Sequence, residues 1–319
     1  MEKIKALYEK LKDNVSRAVV GRDEAVGYLT AALLCGGHVI ITDVPGTGKT
    51  LLTKSFAASL SLSFSRIQFT PDLMPSDITG IRYFNLKKQE FEFLPGPVFS
   101  NVVMADEINR ATPKTQAGML ECMAEKQVTV DGERHALPSP FMVIATQNPI
   151  EAAGVYELPE AELDRFLISL STGLPTHAQT VQILKKYDKT KEAPEVPAVA
   201  SAYEISEASA ELDSVYVADD VFSYIVTVCE ATRRAEGVEL GASPRAALAL
   251  LQVSKCFAAM DGRDYLLPDD IKRCAVNVLS HRLVLNAASS LKAGAAEKAV
   301  ADVIGAVTAP TENLSRYKL

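Results

Sequence analysis

Lys49 and Thr50 stand directly behind the turn Pro45-Gly46-Thr47-Gly48. Each residue type suits one piece of phosphate chemistry. Glycines let backbone N–H groups curl around phosphate oxygens with no Cβ in the way. A lysine at the loop's end brings a positive charge to β- and γ-phosphates, and the next hydroxyl suits Mg²⁺. The flanks fit the same reading. Val39, Ile40 and Ile41 form a short apolar run expected to be a buried strand. Leu51, Leu52, Phe56 and Leu60 recur at helical spacing, so a helix N-terminus would face the anion. One letter departs from the full GxxxxGK[ST] pattern, because Asp43 occupies the first glycine position. A carboxylate there must turn away from a triphosphate or repel it, which leaves the geometry at the loop's start open.

A second pair of chemically capable residues follows about 55 residues later. The apolar run Val102 to Ala105 ends in Asp106 and Glu107. Adjacent strand residues face opposite ways, but at a strand's exit both acids can turn to one site. Asp106 would hold a Mg²⁺ shell and Glu107 would polarise an attacking water. Another apolar strand, Phe141 to Ala145, runs out into Thr146-Gln147-Asn148-Pro149, placing Asn148 where α/β sites collect ligands. Asn before Pro is also an ordinary turn former. Arg165 sits at the boundary between the short helical stretch Leu158 to Phe166 and the strand that follows, and is exposed by position. It reads either as a surface ion pair or as a cation reaching a neighbouring subunit's nucleotide. Ser243-Pro244-Arg245 reads as cap, first helical residue and first-turn cation. Arg245 there opposes the helix dipole, which suggests a role towards phosphates. The break Val20-Gly21 between two helices is compatible with an adenine seat and equally with a plain turn.

The elements that must position these residues alternate strands with helices up to about residue 188. Helices are expected over 3–19, from Asp23 as a cap to about Cys35, over 113–126 and over 176–188. Strands are expected over Phe64 to Phe69 and Phe166 to Leu170. Two hairpins interrupt the alternation, one over 81–95 around Leu86-Lys87-Lys88-Gln89 and one over 127–135 around Asp131-Gly132. A minimal nucleotide-binding core does not require the first, so it reads as an insertion. Lys87 and Lys88 at its tip suit either a partner or solvent. The Pro-, Ala- and charge-rich stretch 189–202 reads as a linker, after which strand signals nearly vanish. Helices are expected at 203–213, 218–235, 244–261, 268–282 and 293–306. The expected division is therefore a core over 1–188, a linker over 189–202 and a helical domain over 203–319.

Composition sets limits on function. A net charge of −7 over 319 residues weighs against broad nucleic-acid or anionic-membrane binding. No apolar run approaches the ~18 residues of a membrane span. The amphipathic N-terminal stretch lacks a signal-peptide core, so a cytoplasmic protein is expected. Cys35, Cys122, Cys229, Cys256 and Cys274 are scattered and fit reduced, buried thiols.

Taken together, PGTGKT (45–50), VVMADEINRA (102–111), TPKTQAGMLECMAEKQVTVDG (112–132), IATQNP (144–149), LPEAELDRF (158–166) and ASPRA (242–246) resemble the MoxR-type AAA+ ATPases. The resemblance spans nearly the whole chain. It implies an α/β core with a five-stranded parallel sheet of order 5-1-4-3-2, helices on both faces and a hairpin insertion facing a ring's pore, followed by a small all-α lid. It implies ATP hydrolysis with Mg²⁺ at the subunit interfaces of a homo-oligomeric, usually hexameric, ring. By motif match, Pro45, Gly46, Thr47, Gly48, Lys49, Thr50 and Leu51 form the nucleotide loop, with Val20 and Gly21 beside the base. Thr50 and Asp106 serve the metal. Asp106 and Glu107 are the Walker B pair, Asn148 sensor 1, Arg165 the finger in trans and Arg245 sensor 2. The family often keeps alanine near the Gly48 position, and Asp43 occurs in some members.

The expected activity is an ATP-driven, chaperone-like remodeller that matures metalloenzymes or protein complexes, with a von Willebrand A-domain partner and a protein client. Three other readings compete. A nucleic-acid-directed motor of the McrB or MCM type would show basic pore loops, against the acidic charge. A magnesium-chelatase-like subunit would need a porphyrin-binding partner. An ATP-gated scaffold would keep its function in a Glu107→Gln protein.

Overall fold

Residues 1–148, 155–188 and 194–310 are described by a computed structural model. The start of the expected linker (189–193) and the end of the expected lid (311–319) lie outside the described residues. The chain divides into two units, residues 6–209 and residues 1–5 with those from 210 onward. The division thus falls beyond the stretch 189–202 and inside a helix, and the first five residues group with the helical unit.

In the first unit, α1 (Glu2–Ser16) buries Leu7, Leu11 and Val15 along one stripe. α2 (Asp23–Leu34) is buried on every side from Ala25 to Leu34, as its apolar composition demands. It starts from Arg22 with no side-chain cap, so Asp23 is its first residue and not its cap. β1 (Val39–Thr42), α3 (Lys49–Ala58), β2 (Leu60–Ser61) and β3 (Phe64–Gln68) follow. α4 (Pro75–Thr79) leads into the antiparallel hairpin of β4 (Gly80–Asn85) and β5 (Glu90–Pro95), paired from Gly80↔Pro95 to Asn85↔Glu90. Then come β6 (Val102–Asp106), α5 (Pro113–Glu125), the hairpin of β7 (Gln127–Val130) and β8 (Glu133–Ala136), and β9 (Met142–Gln147). α6 (Glu160–Leu163), β10 (Ile168–Leu170), α7 (His177–Tyr187), β11 (Ala200–Ser201) and α8 (Ala202–Glu211) complete the unit, with α8 running across the division.

The sheet has the order β10-β1-β9-β6-β3 and is parallel throughout. Counted along the chain, that is the expected order 5-1-4-3-2. Its three central strands, β1, β9 and β6, are apolar because both of their faces are covered. Val39 to Ile41, Val102 to Ala105 and Met142 to Ala145 are each about 1% exposed or less. Phe69, Ile78, Met119, Phe141 and Phe166 pack around them. The last strand is shorter than expected. The Phe166 N–H still donates to the Leu163 carbonyl, closing the α6 turn, so β10 starts only at Ile168.

The register fixes where the strands end. Thr42 pairs with Gln147, and Gln68 pairs with Asp106. The carboxyl ends of β1, β3, β6 and β9 therefore share one edge, the edge where open parallel sheets bind ligands.

The helical unit holds α9 (Asp219–Thr232), β12 (Val238–Leu240), α10 (Pro244–Met260), α11 (Pro268–Leu279), β13 (Val284–Leu285), α12 (Ala287–Ser290) and α13 (Ala295–Ala306). Its core comes from Val221, Ile225, Val228, Leu250, Val253, Phe257, Ile271, Val278 and Val300. The small ribbon of β12 with β13 is a departure from the strand-free expectation. Its strands are too short to show a period of two, and their pairing joins residues more than 40 apart in sequence.

Candidate nucleotide site

The loop between β1 and α3 takes its shape from two glycines. Gly46 and Gly48 have φ of 83° and 87°, a conformation that side-chain-bearing residues rarely adopt. A Cβ added at either would meet nothing within 4 Å, so the space in front of the loop is open. Gly48 is the N-cap of α3 and offers no side-chain oxygen to the first-turn amides. An anion at that end would satisfy them and face the positive end of the helix dipole. The chain's own groups therefore fit a phosphate here.

Lys49 Nζ donates to the Asp43 carbonyl at 2.5 Å and to the Gln147 carbonyl at 3.1 Å. Burial lowers its pKa, and the charges of Asp43, Asp106 and Glu107 oppose that shift. Asp43 itself is 4% exposed. Its carboxylate accepts from Ser171 Oγ (2.9 Å), Thr172 N (2.7 Å), Thr172 Oγ1 (2.8 Å) and Gly173 N (3.0 Å). The geometry at the loop's start is thus settled: the acid is fully taken up by the segment after β10.

Asp106 ends β6 and is nearly buried. Its Oδ1 accepts from Thr146 Oγ1 at 2.6 Å, and its Oδ2 accepts from Arg66 Nε and Nη2 at 3.1 and 2.5 Å. Glu107 lies one residue on, in the left-handed conformation (φ 57°, ψ 49°). That turn costs about 1–3 kcal/mol for a residue with a side chain. It directs the carboxylate to Gln68 Nε2 (2.7 Å) and Arg110 Nη1 (2.9 Å). The Glu107 N–H donates to Thr146 Oγ1 at 2.9 Å, so one hydroxyl braces both acids. Asn148, 5% exposed, follows the end of β9, and its carbonyl accepts from Asn109 Nδ2 at 3.3 Å.

Lys49, Asp106, Glu107 and Asn148 thus come together at the carboxyl edge of the sheet. Thr50 sits half-buried in the first turn of α3. Val20 is half-buried and Gly21 exposed, and Gln179 of α7 donates to the Gly21 carbonyl at 3.3 Å. Arg165 does not join this group. It is half-buried, not exposed, because its Nη1 donates to the Leu120 carbonyl of α5 at 3.0 Å. Arg245 is exposed in the first turn of α10, in the helical unit, where Ser243 Oγ caps the Ala246 N–H at 3.2 Å.

Sequence reasoning passed over Arg66, Gln68, Thr146 and Arg22. Arg66 and Gln68 share one face of β3, and their polarity on either side of buried Ile67 was the available signal. Arg22 donates to the carbonyls of Thr47 (3.3 Å), Gly173 (2.7 Å) and Thr172. No motif marks it.

A phosphate loop on a 5-1-4-3-2 sheet, with paired acids on the third strand and a helical unit following in the chain, defines a P-loop ATPase core with its lid. Comparison with known families agrees. Residues 38–168 match the ATPase family associated with various cellular activities (AAA), and residues 230–303 match the AAA lid domain. The chain is 41% identical to the chaperone MoxR1 of Mycobacterium tuberculosis, over 85% of this chain and 74% of that one. It is 31% identical to the protein MoxR of Methylorubrum extorquens, over 86% and 87%. It is also 41% identical to YeaC of Bacillus subtilis, over 98% and 97%. A crystal structure from Cytophaga hutchinsonii superposes with a TM-score of 0.87 at 35% identity, covering 97% of this chain and 98% of that one. The chain belongs to the MoxR family of AAA+ ATPases, and its reaction is ATP hydrolysis.

Proposed function

We propose that this ATPase is a ring-forming, chaperone-like remodelling factor of the cytoplasm. It would act on a protein client and mature protein complexes or metalloenzymes together with a von Willebrand A-domain partner. The observation that carries the reading is the meeting of Lys49, Asp106, Glu107 and Asn148 at one sheet edge, while Arg165 is held on α5 of the same chain.

In this reading the loop from Pro45 to Leu51 cradles the phosphates of ATP, and Val20 and Gly21 flank the base. Lys49 leaves the Asp43 and Gln147 carbonyls for the β- and γ-phosphates. Thr50 and Asp106 would hold Mg²⁺, which would supply charge neutralisation at the phosphates. Glu107 orients the attacking water and accepts its proton, and Asn148 helps to place that water. Arg245 and a neighbouring subunit's Arg165 stabilise charge developing in the transition state.

The hairpin of β4 and β5 is the element suited to a client. It presents Ile81, Phe84, Phe91 and Leu94 on its exposed faces, and Leu86 at its tip is 83% exposed. Apolar surface of this kind is a liability unless something covers it. One of its two tip lysines, Lys88, is already paired with Glu92 at 2.5 Å, which together with the net charge of −7 supports a protein client over nucleic acid.

The test is steady-state ATPase activity against protein concentration, for wild type and Arg165→Ala. Specific activity should rise with concentration. Arg165→Ala should still bind nucleotide and lose about 10³-fold or more in rate. Concentration-independent activity with a normal Arg165→Ala protein would remove the ring reading.

A further inference from the structure

Asp43 breaks the phosphate-loop pattern, yet it is among the most completely bonded side chains of the core. Its two carboxylate oxygens accept four hydrogen bonds, all from Ser171, Thr172 and Gly173. What Asp43 turns towards the loop is its main-chain carbonyl, which receives Lys49 Nζ. Arg22 fastens the same segment from the other side. Its guanidinium donates to the Thr172 and Gly173 carbonyls and also to the carbonyl of Thr47, within the phosphate loop. The loop is therefore tied to residues 171–173 at two points: at its start through a carboxylate, and near its apex through a guanidinium.

Hydrogen bonds to a charged group are roughly twice as strong as neutral ones. A loop held by such bonds has already lost much of the freedom that ligand binding would otherwise remove. The two left-handed glycines make the opposite contribution, because glycine widens the range of shapes an untied loop can visit. A third glycine at position 43 would widen it further and leave the donors of residues 171–173 without their acceptor.

We propose that Asp43 is a positioning residue for nucleotide binding. Its carboxylate, together with Arg22, splints the phosphate loop against residues 171–173 and holds it in its cradle shape before ATP arrives. The proposal rests on reading residues 43–51 as the phosphate cradle. It carries an unexpected consequence: restoring the common glycine of the motif weakens binding.

The test is titration of N-methylanthraniloyl-ADP, followed by its fluorescence, against wild type, Asp43→Gly, Asp43→Asn and Lys49→Ala. Asp43→Gly should raise Kd about tenfold, with KM for ATP rising in step and kcat changing less. Asp43→Asn should fall between, since one oxygen can still accept. In an Arg22→Gln background the Asp43→Gly effect should shrink, because the two ties share one segment. Thermal unfolding of each protein without nucleotide gives the control. A lowered Tm with Kd unchanged, or a Kd below wild type, would overturn the proposal and leave Asp43 a purely structural acid. Should Asp43→Gly fail to fold, Asp43→Asn and Thr172→Val carry the same prediction in smaller steps. Lys49→Ala separates the two readings. If it binds as wild type does, the cradle assignment fails. If it abolishes binding while Asp43→Gly binds normally, only the splint fails.

Discussion

Arg66 grips Asp106 across neighbouring strands, with Nε at 3.1 Å and Nη2 at 2.5 Å from the same carboxylate oxygen. The register that pairs Arg66 with Met104 places its guanidinium beside the end of β6. The acid proposed to serve Mg²⁺ therefore already carries a cation of the chain's own.

Replacing Arg66 should ease metal binding. The Arg66 side chain is 40% exposed, so the pair contributes only about 1 kcal/mol. Arg66→Gln should lower the half-saturating Mg²⁺ concentration for ATP hydrolysis roughly fivefold. A higher Mg²⁺ requirement would mean that Arg66 aims the carboxylate instead of competing for it.

Glu107→Gln should separate binding from turnover. The amide keeps a hydrogen-bonding partner for Gln68 but cannot accept a proton from water. The kcat should fall by about 10²–10⁴, with N-methylanthraniloyl-ADP binding close to wild type. Loss of both together would place Glu107 in nucleotide binding.

His38 makes the core sensitive to acid. The ring is fully buried: Nδ1 accepts from the Val143 N–H at 3.0 Å and Nε2 donates to the Met123 carbonyl at 3.1 Å. Burial pushes its pKa down from 6.5 to about 4. The unfolded chain therefore takes up the proton first as pH falls. Stability is full above pH 6.5 and drops by about 1.4 kcal/mol per pH unit towards pH 4. Urea unfolding at pH 7 and pH 5 should show wild type losing roughly 2 kcal/mol more than His38→Gln. Equal losses would show that other groups dominate.

In the helical unit, Arg263 donates to both oxygens of Asp270, at 2.7 and 2.6 Å. Asp270 is 4% exposed and also accepts the Leu267 N–H at 2.9 Å, capping α11. Arg263→Ala would leave a buried carboxylate without its counter-ion and should destabilise this unit by roughly 3 kcal/mol. Arg263→Lys should recover only part, because an ammonium cannot make the paired contact. Thermal unfolding of the three proteins checks this.

What could be read from the sequence was what is encoded locally. Pro45 to Thr50, Asp106-Glu107 and the turn at Asp131-Gly132 each announce themselves within a few residues, whereas the sheet order came from the family resemblance and not from the alternation of strands and helices. The bracing of the site was not legible. Thr146 lies 40 residues from Asp106, and Ser171 lies 128 from Asp43. Which polar residue meets which acid is decided by strand register and by where β10 ends, and neither leaves a trace in spacing. Asp43 shows the limit most clearly. Against the motif it reads as a blemish, and only its four donors explain it. The exposure of Arg165 was misjudged for a related reason. A residue between a helix and a strand reads as exposed until the carbonyl that receives it is known.

The hairpins of β4 with β5 and of β7 with β8 are joined by more than proximity. The ring of His135 stacks on Phe93 with centroids 4.1 Å apart and planes 14° from parallel, Phe99 meets both rings edge-on, and Arg82 pairs with Glu133 at 3.3 Å. The inserted hairpin is therefore not a detachable module. A chimera that exchanges only residues 80–95 with a relative would take Phe93 from His135 and Arg82 from Glu133. A graft that carries both hairpins together with Phe99 would keep these contacts, so the natural boundary for exchanging this part of the chain encloses two hairpins that the chain itself separates by a strand and a helix.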